Sequence, residues 1–161
     1  MLSLEQMIVR LAVALIVGVI IGLERELIGK EAGIRTCMMV AAGAAIFAII
    51  GVTLPYIIAT SPEEIPNILA RNSGFLAVIA NIVVGIGFLG AGIIIKTEER
   101  ARGVTTSALI WVVAAIGTLI GIGLMSFGVI SGLITAIALY LLRNVDIGSR
   151  MAEKNKGQNI K

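Results

Sequence analysis

The amino-acid sequence contains no histidine, a single cysteine and few charged side chains. Charged residues account for 14% of its 161 positions, whereas soluble domains carry about 25%. The lack of histidine removes the commonest general base and metal ligand. A single cysteine, Cys37, cannot form an intramolecular disulfide. These shortages exclude a secreted disulfide scaffold and an ordinary cytosolic enzyme, and we expect no catalytic residues in this chain.

Apolar residues dominate the composition and occur in long stretches. They make up 58% of the chain, and the mean hydropathy is +1.02. A helix needs about 20 apolar residues to cross the hydrocarbon core of a bilayer. As one helix, the stretch 103–142 would be about 60 Å long, so it must turn back near its glycine-rich segment 121–128. The sequence predicts an all-α, polytopic membrane helix bundle of five transmembrane helices, over residues 4–23, 36–58, 74–95, 104–121 and 125–142.

The distribution of lysine and arginine predicts the orientation of this bundle. With five spans, the loops after the first and third helices lie on the same side as the C-terminus, and these segments hold every basic residue except Arg10 and Arg71. Because basic loops face the cytoplasm, we expect the N-terminus outside and the C-terminus cytoplasmic, in the cell (inner) membrane. Residues 1–145 are expected to form the transmembrane domain, and residues 146–161 a short basic tail against anionic lipid headgroups. The asymmetry explains the basic charge without nucleic-acid binding.

Polar side chains gather at the helix ends that this topology places on the cytoplasmic side. Four separate stretches contribute: the end of the first helix, the start of the second, the glycine-rich end of the third and the start of the fourth. We predict a functional polar cluster of Glu24, Arg25, Glu26, Arg35, Thr36, Thr105 and Thr106, with Asn81 deeper in the third helix. Glycines let membrane helices approach closely, which predicts helix packing at Gly18, Gly22, Gly85, Gly87, Gly90 and Gly92.

Each of these features also has a purely structural interpretation. The charges can be interfacial anchors in solvated pairs worth less than about 1 kcal/mol, and Asn81 can hydrogen-bond between helices. Arg10, inside the first helix, either snorkels to the outer interface, pairs across the bundle or forms a site. The spacing of Gly85, Gly87 and Gly90 matches a dinucleotide-binding fingerprint, but a membrane span lacks the strand and the acidic residue that this fingerprint requires.

Taken together, the motifs resemble the MgtC/SapB family of bacterial membrane proteins. The matching segments follow the family's order and are residues 10–26, 33–36, 81–92, 102–106 and 111–117. Relatives often carry Gln at the position of Asn81 and arginine at that of Ala77, and many have an additional soluble C-terminal domain, so we expect this chain to correspond to the membrane domain alone. The resemblance implies an inner-membrane protein connected with magnesium homeostasis and able to bind other membrane proteins.

Two functions are compatible with the sequence. The chain can be a regulatory or binding module whose polar cluster recognises another membrane protein or a second copy of itself. Alternatively, it can be a cation transporter in which Glu24 and Glu26 hold hydrated Mg²⁺, although no acidic residue lies in the membrane interior. We expect no other cofactor. The chain has more small-residue helix faces than the packing of five helices within one bundle requires, which favours a homodimer. These faces are the glycine pairs Gly18/Gly22, Gly117/Gly121 and Gly128/Gly132.

Overall fold

A computed structural model of the chain describes residues 2–71, 74–96 and 101–142. Within these residues the chain forms six α-helices: α1 (Leu4–Leu27), α2 (Ile34–Ile58), α3 (Ile65–Arg71), α4 (Gly74–Ile93), α5 (Val104–Ile122) and α6 (Met125–Leu142). A 3-10 turn, Pro62–Glu64, precedes α3, and two short antiparallel strands, β1 (Ile95–Lys96) and β2 (Ala101–Arg102), lie between α4 and α5. The predicted basic tail, residues 146–161, lies outside the described residues.

The all-α, five-span architecture predicted from the apolar stretches is confirmed. Helices α1, α2, α5 and α6 are each long and apolar enough to cross a membrane, and α4 contains the shorter apolar stretch Ala77–Ile93. The turn within the long uncharged stretch falls at Gly123, whose φ of 107° lies in the left-handed region that glycine tolerates. The orientation of the termini stays a prediction.

Helix α2 packs against α1 through the glycines of the first helix. Gly18 lies on the α2 backbone at Cys37, and Gly22 lies on it at Ile34. A Cβ atom at Gly22 would come within 2.5 Å of Ile34 Cα, so only a glycine permits this approach. Close backbone contact of this kind supplies the van der Waals packing that holds membrane helices together.

The other side of α2 packs against α5 in the same way. Gly117 lies against the backbone of Ala41, and Gly121 lies against Ala45 and Ala48. The three alanines are buried; Ala41 and Ala45 meet α5 with backbone atoms, and Ala48 meets it with its Cβ. Helix α2 is therefore the centre of the bundle, with glycines of α1 and α5 on its two sides.

Helix α6 closes the bundle against α1 and α5. Gly128 packs on the side chain of Ile120, and Gly132 packs on that of Val17. The three glycine pairs from which a homodimer was predicted are therefore all used inside one chain. This correction removes the small-residue argument for a dimer, because contacts within the protomer already fill those faces.

Arg10 pairs across the bundle with the turn between α5 and α6. One Nη atom of Arg10 donates a hydrogen bond of 2.8 Å to the carbonyl of Gly121, in the last turn of α5. Its guanidinium also lies beside Gly123, where a Cβ atom would come within 2.8 Å of the other Nη atom. The last carbonyls of a helix are unpaired and carry partial negative charge. Arg10 therefore stabilises the α5–α6 turn.

Candidate functional site: a polar cavity at one end of the bundle

Polar side chains surround a cavity at the end of the bundle where α1 ends and α5 begins, the end predicted to face the cytoplasm. The cavity has a volume of about 750 Å³ and is bounded by α1, the loop between α1 and α2, β2, the start of α5 and the end of α6. We call it the end cavity. Its polar lining consists of Glu24, Arg25, Lys30, Glu31, Arg102, Thr105 and Thr106.

A chain of hydrogen bonds links α1, α5 and the α1–α2 loop at this cavity. The guanidinium of Arg25, which is 4% exposed, donates to Thr106 Oγ1 at 3.0 Å. The Thr106 hydroxyl, 2% exposed, donates in turn to Glu31 Oε2 at 3.2 Å. Because Thr106 lies in the first turn of α5, the Glu31 carboxylate also benefits from the positive end of that helix. Three segments that are distant in sequence are thereby connected.

These contacts lower the pKa of Glu31, which lies outside the membrane-spanning segments, below its ordinary value of 4.5. The largest cause is the hydrogen bond from its own backbone N–H, followed by the hydroxyl of Thr106. The positive charges of Lys30 and Arg25 act in the same direction. The ionised form of Glu31 is therefore the one that the folded state favours.

Glu31→Gln is expected to lower the free energy of unfolding at neutral pH but not in acid. A carboxylate with a lowered folded-state pKa contributes stability above its ordinary pKa of 4.5 and loses it as the pH falls through the folded-state value. Detergent unfolding curves of both proteins, recorded at neutral pH and well below pH 4.5, measure the difference. An equal difference at both pH values would contradict the expectation, and Thr106→Val should reduce the pH-dependent part.

Glu24 lines the same cavity and lacks a partner. It is 9% exposed, and both of its carboxylate oxygens are buried without a hydrogen bond from any described residue. The Nε atom of Arg25 is also buried and has no acceptor there. A buried polar group without a partner costs about 1–3 kcal/mol, and a charged one costs more. The end cavity therefore contains a hydrogen-bond acceptor, the Glu24 carboxylate, and a hydrogen-bond donor, Arg25 Nε, that no described residue satisfies.

Glu26 has a different role from the one predicted. It is exposed, and its Oε2 accepts a hydrogen bond of 3.0 Å from the backbone N–H of Ile34, the first residue of α2. The N-cap residue Gly33 offers no side chain of its own, and a Cβ atom there would collide with the Glu26 carboxylate. Glu26 thus caps α2 from α1, because an anion at a helix N-terminus satisfies a free N–H and complements the helix dipole.

The fold does not bring Glu24 and Glu26 together as Mg²⁺ ligands. Residues two positions apart on a helix are rotated by about 200°, and accordingly Glu24 is buried while Glu26 is exposed. Glu26 lines a separate cavity of about 260 Å³. Within residues 2–71, 74–96 and 101–142, no three His, Cys, Asp or Glu side chains are grouped so that they could hold a metal ion. A cation at either carboxylate would need further ligands.

The remaining predicted polar residues are divided between three places. Thr105 is exposed and lines the end cavity, whereas Arg35 and Thr36 line the smaller cavity with Glu26. Asn81 lines neither and is exposed on α4. The residues predicted to form one cluster therefore lie in two neighbouring cavities, and Asn81 lies in neither. Asn81 is separate because its helix, α4, packs on α5 and α2 at the edge of the bundle.

The glycine-rich end of α4 contributes less packing than predicted. Gly90 lies against the side chain of Ser107, but Gly85, Gly87 and Gly92 have no neighbouring atom within 4 Å of a Cβ position. The packing prediction is wrong for these three glycines within the described chain. Helix α4 contacts its neighbours along one side only, and these glycines lie away from it.

Glu31, Lys30 and Arg102 were not predicted as site residues. In the sequence, Lys30 and Arg102 bore on the orientation and Arg102 also on the family resemblance, and Glu31 was given no role. A usable signal was the shortness of the loop between the first two helices, which keeps Glu31 at the same membrane boundary as Thr106. The hydrogen bond between them depends on how α1 and α5 are placed around α2, which no local pattern contains.

Residues 11–147 match the model of the MgtC family. The chain is 37% identical to Protein SrpB of Synechococcus elongatus over 81% of its own length and 71% of SrpB. It is 38% identical to Protein MgtC of Salmonella typhimurium (strain LT2), over 84% of this chain and 52% of the relative. It is 33% identical to the "Putative magnesium transporter YhiD" of Escherichia coli (strain K12), over 93% of this chain and 66% of the relative.

The chain thus spans between about half and 71% of the length of these relatives. No solved structure matches it. The family match covers α2, α4, α5 and α6, α1 from residue 11 onward, and the residues around the end cavity. The chain is an integral membrane protein and belongs to the MgtC family.

Proposed function

We propose that this chain is a non-catalytic regulatory or binding module of the cell (inner) membrane that acts in magnesium homeostasis. The observation that carries the proposal is the end cavity, where Glu24, Arg25, Glu31 and Thr106 from distant segments meet at one end of the bundle. The carboxylate oxygens of Glu24 and the Nε atom of Arg25 have no hydrogen-bond partner among the described residues, which suits recognition of a ligand or another membrane protein. Membership of the MgtC family, in which the relative YhiD is named a putative magnesium transporter, supports the connection with magnesium.

A cation transporter is the alternative, and the name of YhiD favours it. The arrangement of acidic residues favours the module. Within the described helices, acidic side chains of the membrane-crossing segments occur only near the ends of α1, and α2, α4, α5 and α6 contain none. A divalent cation keeps several waters and requires oxygen ligands along its path. Moving it through an apolar bundle interior would therefore be costly.

Flux and growth measurements separate the two functions. In proteoliposomes loaded with a magnesium-sensitive dye, we expect the purified chain to give no more Mg²⁺ uptake than empty vesicles. In cells lacking the chain, wild type should restore growth in low magnesium, and Glu24→Gln should not. Glu63→Gln, at the opposite end of the bundle, serves as the matched control. Uptake above background that is lost in Glu26→Gln would overturn the module and support the transporter.

We also propose that the chain forms a homodimer through α4. Asn81 is exposed there and makes no hydrogen bond within the described chain, although a polar amide facing lipid is costly. An amide is both donor and acceptor, so two copies can pair across a twofold axis. Gly85 and Gly92 lie on the same face of the helix as Asn81 and leave room for close approach.

Disulfide crosslinking in native membranes tests this dimer. In a Cys37→Ala background, Gly85→Cys should crosslink, and Ile137→Cys, exposed on α6, should not. Equal crosslinking at both positions, or at neither, would contradict a dimer through α4.

A further inference from the structure

The end cavity combines three surfaces of different chemistry. Glu24 and Arg25 form a buried polar wall, and Lys30, Glu31 and Arg102 are exposed at the rim, which therefore carries a net positive charge. The end of α6 adds an apolar side that includes Leu142, which is 63% exposed. A cavity at the boundary between membrane and water that has a polar wall, a basic rim and an apolar side fits a molecule with the same three parts.

The buried wall needs both a donor and an acceptor. The carboxylate oxygens of Glu24 accept no hydrogen bond from a described residue, and Arg25 Nε donates none to one. A buried carboxylate is stabilised by a cation that carries N–H groups, and a buried guanidinium is stabilised by an anionic oxygen. A ligand that satisfies both groups therefore carries a positive and a negative group close together.

The net positive charge of the rim indicates that the part of the ligand lying at the cavity mouth is negatively charged. Lys30, in the α1–α2 loop, and Arg102, in β2, are positively charged and outnumber the exposed carboxylate of Glu31 in the cavity lining. Nearby, α5 begins after Gly103, which provides no side-chain cap for the first N–H groups of the helix. The two basic side chains and the free N–H groups of α5 all favour a phosphate over a metal cation at the mouth of the cavity.

We propose that the end cavity binds a phosphoethanolamine group carried by a membrane lipid. The ammonium donates hydrogen bonds to Glu24, the phosphate lies between Arg25 Nε and the basic rim, and the acyl chains run along the end of α6 beside Leu142. This inference rests on the proposed function, because it assigns a ligand to the same cavity. It makes the binding module sensitive to the lipid composition of its membrane.

Native mass spectrometry of the full chain tests the inference. The protein is released from vesicles containing equal parts of phosphatidylethanolamine, phosphatidylcholine and phosphatidylglycerol with identical acyl chains. We expect wild type to retain phosphatidylethanolamine in preference by about tenfold, or about 1.4 kcal/mol, because the choline headgroup has no N–H donor and glycerol has no cation. Glu24→Gln should abolish the preference over phosphatidylcholine. Arg102→Gln, at an exposed position, should weaken retention of all three phospholipids, and Glu63→Gln should behave as wild type.

Three results would overturn the inference: equal retention of the three lipids by wild type, a preference that survives Glu24→Gln, and displacement of the lipid by Mg²⁺ in wild type but not in Glu24→Gln. If the protein retains free phosphoethanolamine when no lipid is present, the claim that a membrane lipid carries this group is wrong. None of these readouts depends on growth in low magnesium or on Mg²⁺ flux. A failure of the lipid assignment is therefore distinguishable from a failure of the proposed function.

Discussion

Gly117→Ala is expected to destabilise the bundle by about 1–3 kcal/mol, the usual cost of overpacking a well-filled interior. The added Cβ atom would lie against the backbone carbonyl, carbonyl carbon and Cα of Ala41. Backbone atoms of a packed helix cannot rotate away as a flexible side chain can, so α5 and α2 must separate. That separation outweighs the gain of about 1 kcal/mol that alanine brings to a helix in place of glycine.

Gly43→Ala is the matched control, because it makes the same substitution in α2 at a position with no atom within 4 Å of the new Cβ. Its stability should equal or exceed that of wild type. Unfolding of both variants in mixed detergent micelles, followed by circular dichroism, measures the difference. If Gly117→Ala and Gly43→Ala unfold at the same denaturant concentration, the close approach of α2 and α5 is wrong.

Arg25→Ala is expected to cost about 1.5–3 kcal/mol, the range for a hydrogen bond that involves a charged group. The substitution removes the link to Thr106 and leaves a hole where the buried stem of Arg25 packs. We expect loss of stability together with loss of low-magnesium growth.

A double-mutant cycle with Thr106→Val isolates the contact between the two side chains. If the hydrogen bond carries the effect, Arg25→Ala and Thr106→Val together should cost less than the sum of the single variants. Arg35→Ala, on the exposed side of α2, removes an arginine at the same membrane boundary and should change stability by less than about 0.5 kcal/mol. Strict additivity in the cycle would show that Arg25 and Thr106 act independently.

The spans and their boundaries were accessible from the sequence because hydropathy is a local property. The prediction of 125–142 for the last helix coincides with α6, and that of 36–58 differs from α2 only at its start. Glycine in the stretch 121–128 correctly placed the turn between α5 and α6, because only a few residues tolerate the backbone angle found at Gly123. The grouping of Arg25 with Thr106 followed from putting both at the same membrane boundary.

Only the tertiary structure decided which side of each helix meets which neighbour. Glu24 and Glu26 look equivalent along the chain, yet they lie on opposite sides of α1. Glu24 therefore lines the end cavity, and Glu26 reaches the N-terminus of α2. Gly117 and Gly85 are likewise similar in local context, but one faces Ala41 and the other faces open space. Apolar helices in a membrane carry little amphipathic signal, since lipid and protein interior are both apolar, so their rotation is set by close packing and hydrogen bonding between distant segments.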